Sequence, residues 1–532
     1  MDRTGRAPVV SGHPATASRR VKFSGVAAVA VFIVLVARFW HPVYGFTEFL
    51  QLDAANDAVK LSAVRPVPVY VYRNTGPYDG WYYAQIAYDP LLRSPELKPA
   101  IDNLPYRARR ILPSALAWLA AAGRPSEIAQ AFAAINLVAW LALAAVLWRL
   151  MPVADGYSLA AWSGVLFSAG ALASVRFALT DLVALAILAG AMLAAERRRP
   201  GWGLAQLAAA GLARETSLLA LPAFCTRPWL SAVNLRRAAA AALPLAAWMI
   251  YVRWRAGAGD PGWGNFTWPL AAWGEKWRTG IAAARQLPDP LLAWTTLLAT
   301  AGLTIQALYF LWRPRPGENW WRVGAAYVAL LSFLGRPVWS DFPGAVFRAV
   351  LPLTLAFNVL AARRRAGWVW LLAGNLGVGA GLLALRDVPF DNGEVAAFHE
   401  AGVAGLAREG AGWYGAEHSG RHLWAWSDGR SDLTIATWPQ DDRTLELEFS
   451  LRALTPRVVT VRQNGREIWR GTADARRSDG RLTIAVAAGR AELNFATATP
   501  AVAESADPGA RALAFALYDP KVTVVHDRPA AP

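Results

Sequence analysis

Apolar runs broken by short polar connections occupy residues 24–385, and a period-two alternation replaces them from about residue 387 onward. Runs near or above the ~20 residues a helix needs to cross a bilayer recur through the first part. The segment 24–40 has a basic flank and an apolar body, but ends in Ala37-Arg38-Phe39-Trp40 without a small-residue cleavage site. It reads as a retained first helix rather than a secretory signal. Further crossings are predicted at 125–150, 157–177, 181–195, 238–254, 291–312, 323–334, 345–362 and 368–385. Residues 202–224 are interrupted by Arg214-Glu215 and fit two short helices in a hairpin, and 111–122 suits a helix lying in the interface. The total is about eleven crossings, an odd number that puts the termini on opposite sides.

After residue 385 no run is long enough to span. Leu445, Leu447, Phe449 and Leu451 alternate with Glu446, Glu448 and Ser450, the pattern of a strand with one buried face. Residues 458–461 and 468–469 flank Asn464-Gly465, a hairpin signal. Further short strands are predicted at 482–486, 493–495 and 513–517. The expected fold is an α-helical polytopic membrane domain at 24–385, with a cytoplasmic tail at 1–23 and a first external loop at 41–110. An all-β, jelly-roll-like sandwich follows at 386–532.

Composition supports the membrane class. Of 532 residues 55% are hydrophobic and 17% charged, where a soluble chain carries about a quarter. The net charge of +16 resembles a nucleic-acid binder's until its placement is considered. Arg19-Arg20-Val21-Lys22, Arg197-Arg198-Arg199, Arg236-Arg237, Arg313 with Arg315, and Arg363-Arg364-Arg365 each adjoin an apolar span. That is the positive-inside pattern of cytoplasmic loops, with the β domain outside and no nucleic-acid partner. The single cysteine, Cys225, excludes an intrachain disulfide.

No histidine lies between His41 and His399, which removes histidine–zinc chemistry and a Ser-His-Asp triad from the membrane part. No Walker loop or dinucleotide fingerprint occurs. Carboxylates and arginines remain. The external stretch Tyr78-Asp79-Gly80-Trp81-Tyr82-Tyr83 holds a lone carboxylate, followed by Arg93, Arg107, Arg109 and Arg110. Transfer of a group from a phosphate to an alcohol needs one general base for the hydroxyl proton. It also needs positive charge for the departing phosphate, but no paired acid. Asp79 and these arginines are that minimal set. Asp79 also suits the N-cap of a helix starting at Gly80, and the arginines suit snorkelling to headgroups. Asp89-Pro90 suits a turn, or a supporting metal ligand. Asp181 suits a helix cap. Arg348, near Asp341 and one turn into 345–362, is placed either to meet a phosphate or to anchor at the interface. Arg214-Glu215 suits a hairpin turn near an interface, with a tie to the active cavity as the alternative. In the β domain Trp413, Tyr414, Trp424 and Trp426 suit either core packing or stacking on sugar rings.

Tyr78-Asp79-Gly80-Trp81-Tyr82-Tyr83 with Ile86-Ala87, then Tyr106-Arg107 and Arg110-Ile111-Leu112-Pro113, resembles bacterial polytopic GT-C-type glycosyltransferases. Thr180-Asp181-Leu182 and Leu212-Ala213-Arg214-Glu215-Thr216 fit the same pattern. The resemblance implies a multi-pass enzyme of the bacterial inner membrane that takes a hexosyl or pentosyl group from a polyprenyl-phosphate donor. The acceptor would be an envelope glycan or lipid, and the displacement inverting. It carries the base onto Asp79, with Tyr78, Tyr82, Arg107, Arg110 and Arg348 as substrate contacts. Some members use an adjacent acidic pair with a divalent metal; this loop has no such pair, and no metal ligand is assigned. Gly412-Trp413-Tyr414-Gly415, Trp424-Ala425-Trp426-Ser427 and Val461-Arg462-Gln463-Asn464-Gly465 are similar to β-sandwich domains appended to such enzymes. A lipid-linked-sugar transporter and a non-catalytic, membrane-anchored glycan-binding protein are the alternatives.

Overall fold

The computed structural model describes residues 18–525 apart from 54–55, 57–58, 73–75, 152, 261, 287–289, 313, 342, 390–402, 416, 420–421, 438–441 and 506–509. Most of the tail at 1–23, Arg313, His399 and His526 lie outside the described residues. The chain divides into two compact units, a helical one and a β-rich one.

The helical unit comprises Met1–Phe39, Phe46–Leu61 and Val71–Val388. Among the described residues, four helices are long and apolar enough to cross a membrane: Arg19–Ala37, Pro125–Leu150, Ala232–Ala256 and Pro290–Trp312. A fifth arises if Gly156–Leu166 and Ala169–Arg176, bent by 42°, are one broken span. Against the about eleven crossings expected, the described residues thus hold four or five helices of spanning length, and the larger count is not confirmed. The run at 157–177 is not continuous, because Ser168 caps its second half by accepting a hydrogen bond from Ala171 N. The expected hairpin at 202–224 is seen as the α-helix Pro200–Ala213 and the 3-10 segment Glu215–Phe224, broken at an extended Arg214.

Aromatic packing in this unit carries some of its buried polar groups to backbone acceptors. Phe32 stacks on Trp140 with ring centroids 3.7 Å apart, and the Trp140 indole donates to the Leu166 carbonyl at 2.8 Å. The short helix Ala169–Arg176 fits tightly at both ends. A Cβ on Gly170 would overlap the Phe347 carbonyl, and one on Gly80 would overlap the Phe177 carbonyl. Backbone therefore meets backbone at these two points, which only glycine permits.

The β-rich unit comprises Pro389–Pro532 with two stretches of the first loop, Trp40–Gly45 and Ser62–Tyr70. Inside it the Arg408 guanidinium lies over the Tyr44 and Tyr70 rings at 4.9 and 5.0 Å. Antiparallel strands run in the spatial order Ser478–Val486, Arg443–Ala453, Phe515–Val524, Val403–Glu409, Arg430–Ala436, Arg490–Thr497, Arg457–Gln463 and Arg466–Ala473. Along Arg443–Ala453 the buried positions are Leu445, Leu447, Phe449, Leu451 and Ala453, as the alternation requires. The predicted hairpin forms between Arg457–Gln463 and Arg466–Ala473, with Asn464 and Gly465 both at positive φ (50° and 78°), as a type I′ turn demands. Trp413 packs edge-on against Phe495 and Phe515, and Trp426 is buried, so these two aromatics serve the core. Trp424 stacks on Tyr518 at 5.2 Å.

Candidate functional site

The helix Asp79–Tyr88 carries the central carboxylate. Tyr78 occupies the N-cap in extended conformation, so Asp79 is the first helical residue and not the cap. Its carboxylate goes to guanidinium groups instead, which form shorter and stronger bonds than a backbone amide. The helix is pinned from behind: buried Gln85 accepts from Leu61 N and donates to the Ala100 carbonyl, and Ser114 donates to the Tyr83 carbonyl. Trp81, Tyr82, Tyr83, Ile86 and Ala87 are buried.

Three separate segments bring four arginines to this point. Arg107 Nη1 donates to Asp79 Oδ1 at 2.6 Å, and Arg348 Nη2 donates to Asp79 Oδ2 at 2.9 Å. Arg107 also forks onto Asp102, Nε to Oδ1 at 3.1 Å and Nη2 to Oδ2 at 2.8 Å. Arg348 reaches Asp181 Oδ2 with its other terminal nitrogen at 3.5 Å. Asp181 Oδ1 pairs with Arg214. Arg110 makes a bidentate pair with Glu215, both bonds 2.9 Å, and donates to the Tyr83 hydroxyl at 2.9 Å. Aromatic faces complete the cluster, Tyr82 lying 5.1 Å from the Arg107 guanidinium and Tyr78 5.7 Å from that of Arg348.

Asp79, Tyr78, Tyr82, Arg107, Arg110 and Arg348 therefore come together. Arg109 instead lies over the Tyr106 ring at 4.4 Å, and Asp89 accepts from Ser94 N and Arg93 N in a turn. Asp181 is not a cap, since Leu179 holds that position in its helix. It sits with its side chain 1% exposed between two guanidiniums. Asp102 and Asp181 are the members that sequence patterns did not place in the site, and Arg214 and Glu215 join it by the second of their two readings, the tie to the cavity. The signal available for three of them was charge inside or at the edge of apolar runs, where an ionisable group needs a partner.

The cluster sets Arg107, Arg110, Arg214 and Arg348 against Asp79, Asp102, Asp181 and Glu215. Positive and negative charges thus balance. The Asp79 side chain is 19% exposed. Burial alone would raise its carboxyl pKa, but Arg348 and Arg107 override that and hold it well below the usual carboxylate range. Arg348 Nε, Arg214 Nε and Thr180 Oγ1 are buried without a hydrogen-bond partner among the described residues. No group of three or more His, Cys, Asp and Glu side chains able to hold a metal occurs among the described residues. The carboxylates here are paired with guanidiniums, a set that does not fit a divalent cation.

No protein family and no curated protein matches the chain. Several solved structures are similar to it, among them three that differ in how much of the chain they cover. One is a CBM4 structure, 14% identical over 24% of this chain and 82% of that one, with a TM-score of 0.15. Another is the GH115 4-O-methyl-α-glucuronidase BtGH115A, 11% identical over 55% of this chain and 41% of that one, TM-score 0.17. The third is the arabinosyltransferase EmbB from Mycobacterium smegmatis, 12% identical over 98% of this chain and 66% of that one, TM-score 0.22. Scores this low transfer neither fold nor activity, so function has to be read from the site.

Proposed function

We propose that the chain is a membrane glycosyltransferase that moves a sugar from a polyprenyl-phosphate donor to an envelope glycan or lipid acceptor on the extracytoplasmic side. The observation that carries this reading is Asp79 held between Arg107 and Arg348 at the start of the Asp79–Tyr88 helix. A carboxylate flanked by two guanidiniums supplies a proton acceptor and an anion site within one side chain's reach. In the reaction the acceptor oxygen attacks the anomeric carbon while the bond from that carbon to the phosphate oxygen breaks. The electron pair leaves with the polyprenyl phosphate, Arg107 and Arg348 balance its charge, and Asp79 takes the hydroxyl proton. Because a phosphate leaves without protonation, no second acid is needed. Attack from the face opposite the leaving group inverts the anomeric centre. Arg110, bound to Glu215 and Tyr83, supports the wall behind these groups.

The test incubates the purified protein with a panel of polyprenyl-linked sugars and candidate acceptors and follows donor consumption and released polyprenyl phosphate. Consumption of one donor by the wild type, lost in Asp79→Asn, supports the reading. Equal turnover by the two proteins removes Asp79 as the base, and no consumption of any donor removes the activity.

A further inference from the structure

We infer that a phosphodiester anion seated on Arg107 and Arg348 takes over the N–H groups that each gives to Asp79, so that donor binding itself releases the base. This rests on the glycosyltransferase reading and adds how its base is switched on.

In the structure Asp79 is a poor proton acceptor, because each of its oxygens already takes a guanidinium N–H. The two arginines are unequally committed. Arg107 keeps two further bonds to Asp102, and Arg348 keeps its contact to Asp181, which Arg214 holds in turn. Each guanidinium thus has an anchor other than Asp79 and stays in place when Asp79 lets go. Asp79, the ligand they share, is the one whose loss leaves neither unpaired. Arg348 Nε and Arg214 Nε, buried without partners among the described residues, are donors the cluster does not use. Charge gives the same direction. The cluster is balanced as it stands, so an added anion leaves one negative charge in excess. That excess is removed when Asp79 takes up a proton, which in the reaction is the acceptor's.

Binding of an unreactive diester should therefore be coupled to proton uptake, and Asp79 should compete with it. Isothermal titration calorimetry on the full-length protein in detergent tests both, using the methyl diester of a polyprenyl phosphate, dimethyl phosphate and phosphatidylglycerol as separate arms. A diester has no proton of its own to exchange near about pH 5, just above the ordinary carboxylate range. Comparing buffers of different ionisation enthalpy at that pH, the wild type should take up protons as it binds the polyprenyl diester. Asp79→Asn should take up none and bind that diester roughly ten-fold more tightly, about 1.4 kcal/mol. Dimethyl phosphate and phosphatidylglycerol, which carry the same diester anion without the polyprenyl chain, should show the same coupling at lower affinity. Polyprenyl-diester binding by the wild type without proton uptake overturns the switch while leaving the glycosyltransferase reading intact. Weaker binding by Asp79→Asn does the same, since Asp79 would then only brace the arginines. No binding of the polyprenyl diester by either protein overturns both. The proton count is taken on the wild type, so it stands even if the variant misfolds.

Discussion

Arg348 Nη2 lies 2.9 Å from Asp79 Oδ2, although 269 positions separate them in the chain. One short helix, Ala169–Arg176, is packed against the backbone of both. Gly170 abuts Phe347 and Arg348, and Phe177, just past the helix end, abuts Gly80. Two glycine contacts therefore hold the backbone on either side of this ion pair.

Gly170→Ala should disturb the site without touching a charged group. The added methyl overlaps the Phe347 carbonyl, and overpacking of this kind costs about 1–3 kcal/mol. Since the neighbour is backbone next to Arg348, kcat should fall more than donor binding does. Gly156→Ala is the control, because a Cβ there meets nothing within 4 Å. Thermal melting in detergent and steady-state transfer assays on the two variants check this. Equal effects of both substitutions would falsify the idea that the Gly170 contact helps to set the site.

Asp79→Asn keeps the shape of the side chain but removes the proton acceptor. Loss of a general base lowers kcat by about 10²–10⁴-fold. Arg107 and Arg348 retain Asp102 and Asp181, so the melting temperature should move little. A collapse of folding together with activity would show that Asp79 is chiefly structural.

Asp181→Asn should behave in the opposite way. Its side chain is 1% exposed and joins Arg214 to Arg348. Removing one partner from a buried pair typically costs about 3–5 kcal/mol, because the remaining charge stays desolvated. A lower melting temperature than that of Asp79→Asn is expected, and the ranking of the two by thermal melting decides it. A melting temperature equal to that of the wild type would mean Arg214 finds another partner.

The parts of this architecture that were legible in the sequence are those set by local periodicity. The alternation at Leu445 to Leu451 and the Asn464-Gly465 turn specify strand faces and a hairpin by rules that need no distant partner. The break at Arg214-Glu215 was visible because charge and an apolar run conflict. The bend after Phe167 was not, since Ser168 in an apolar run reads equally well inside a helix until its capping bond is known. In the site, Asp79, Arg107 and Arg110 stood out as charged residues in an aromatic loop, and Arg348 as a charge one turn into an apolar run. Asp181 did not, because an acidic residue at a helix start has a sufficient local explanation, and its real partners lie 33 and 167 positions away.

A second buried carboxylate gives the stability of the helical unit its own pH dependence. Glu48, side chain 1% exposed, pairs with Arg176 at 3.1 Å and accepts from the Tyr72 hydroxyl at 2.7 Å. Burial outweighs these partners and raises its pKa from 4.5 to about 7. Where the native state binds more protons than the unfolded one, stability falls as pH rises. Below the unfolded value of 4.5 the group is protonated in both states and costs nothing. Through the window up to about 7 the cost grows, reaching about 3 kcal/mol above it at 1.36 kcal/mol per pKa unit. Melting temperatures of the wild type in detergent should accordingly decline across this window, and Glu48→Gln should flatten the decline. The Arg176 pair forms only while Glu48 is ionised and so is already part of the wild type's slope. Exchanging a neutral carboxyl for an amide shifts the variant's curve by an amount independent of pH, so the slope, not the height, carries the result. Parallel curves for the two proteins would show that Arg176 keeps Glu48 ionised throughout.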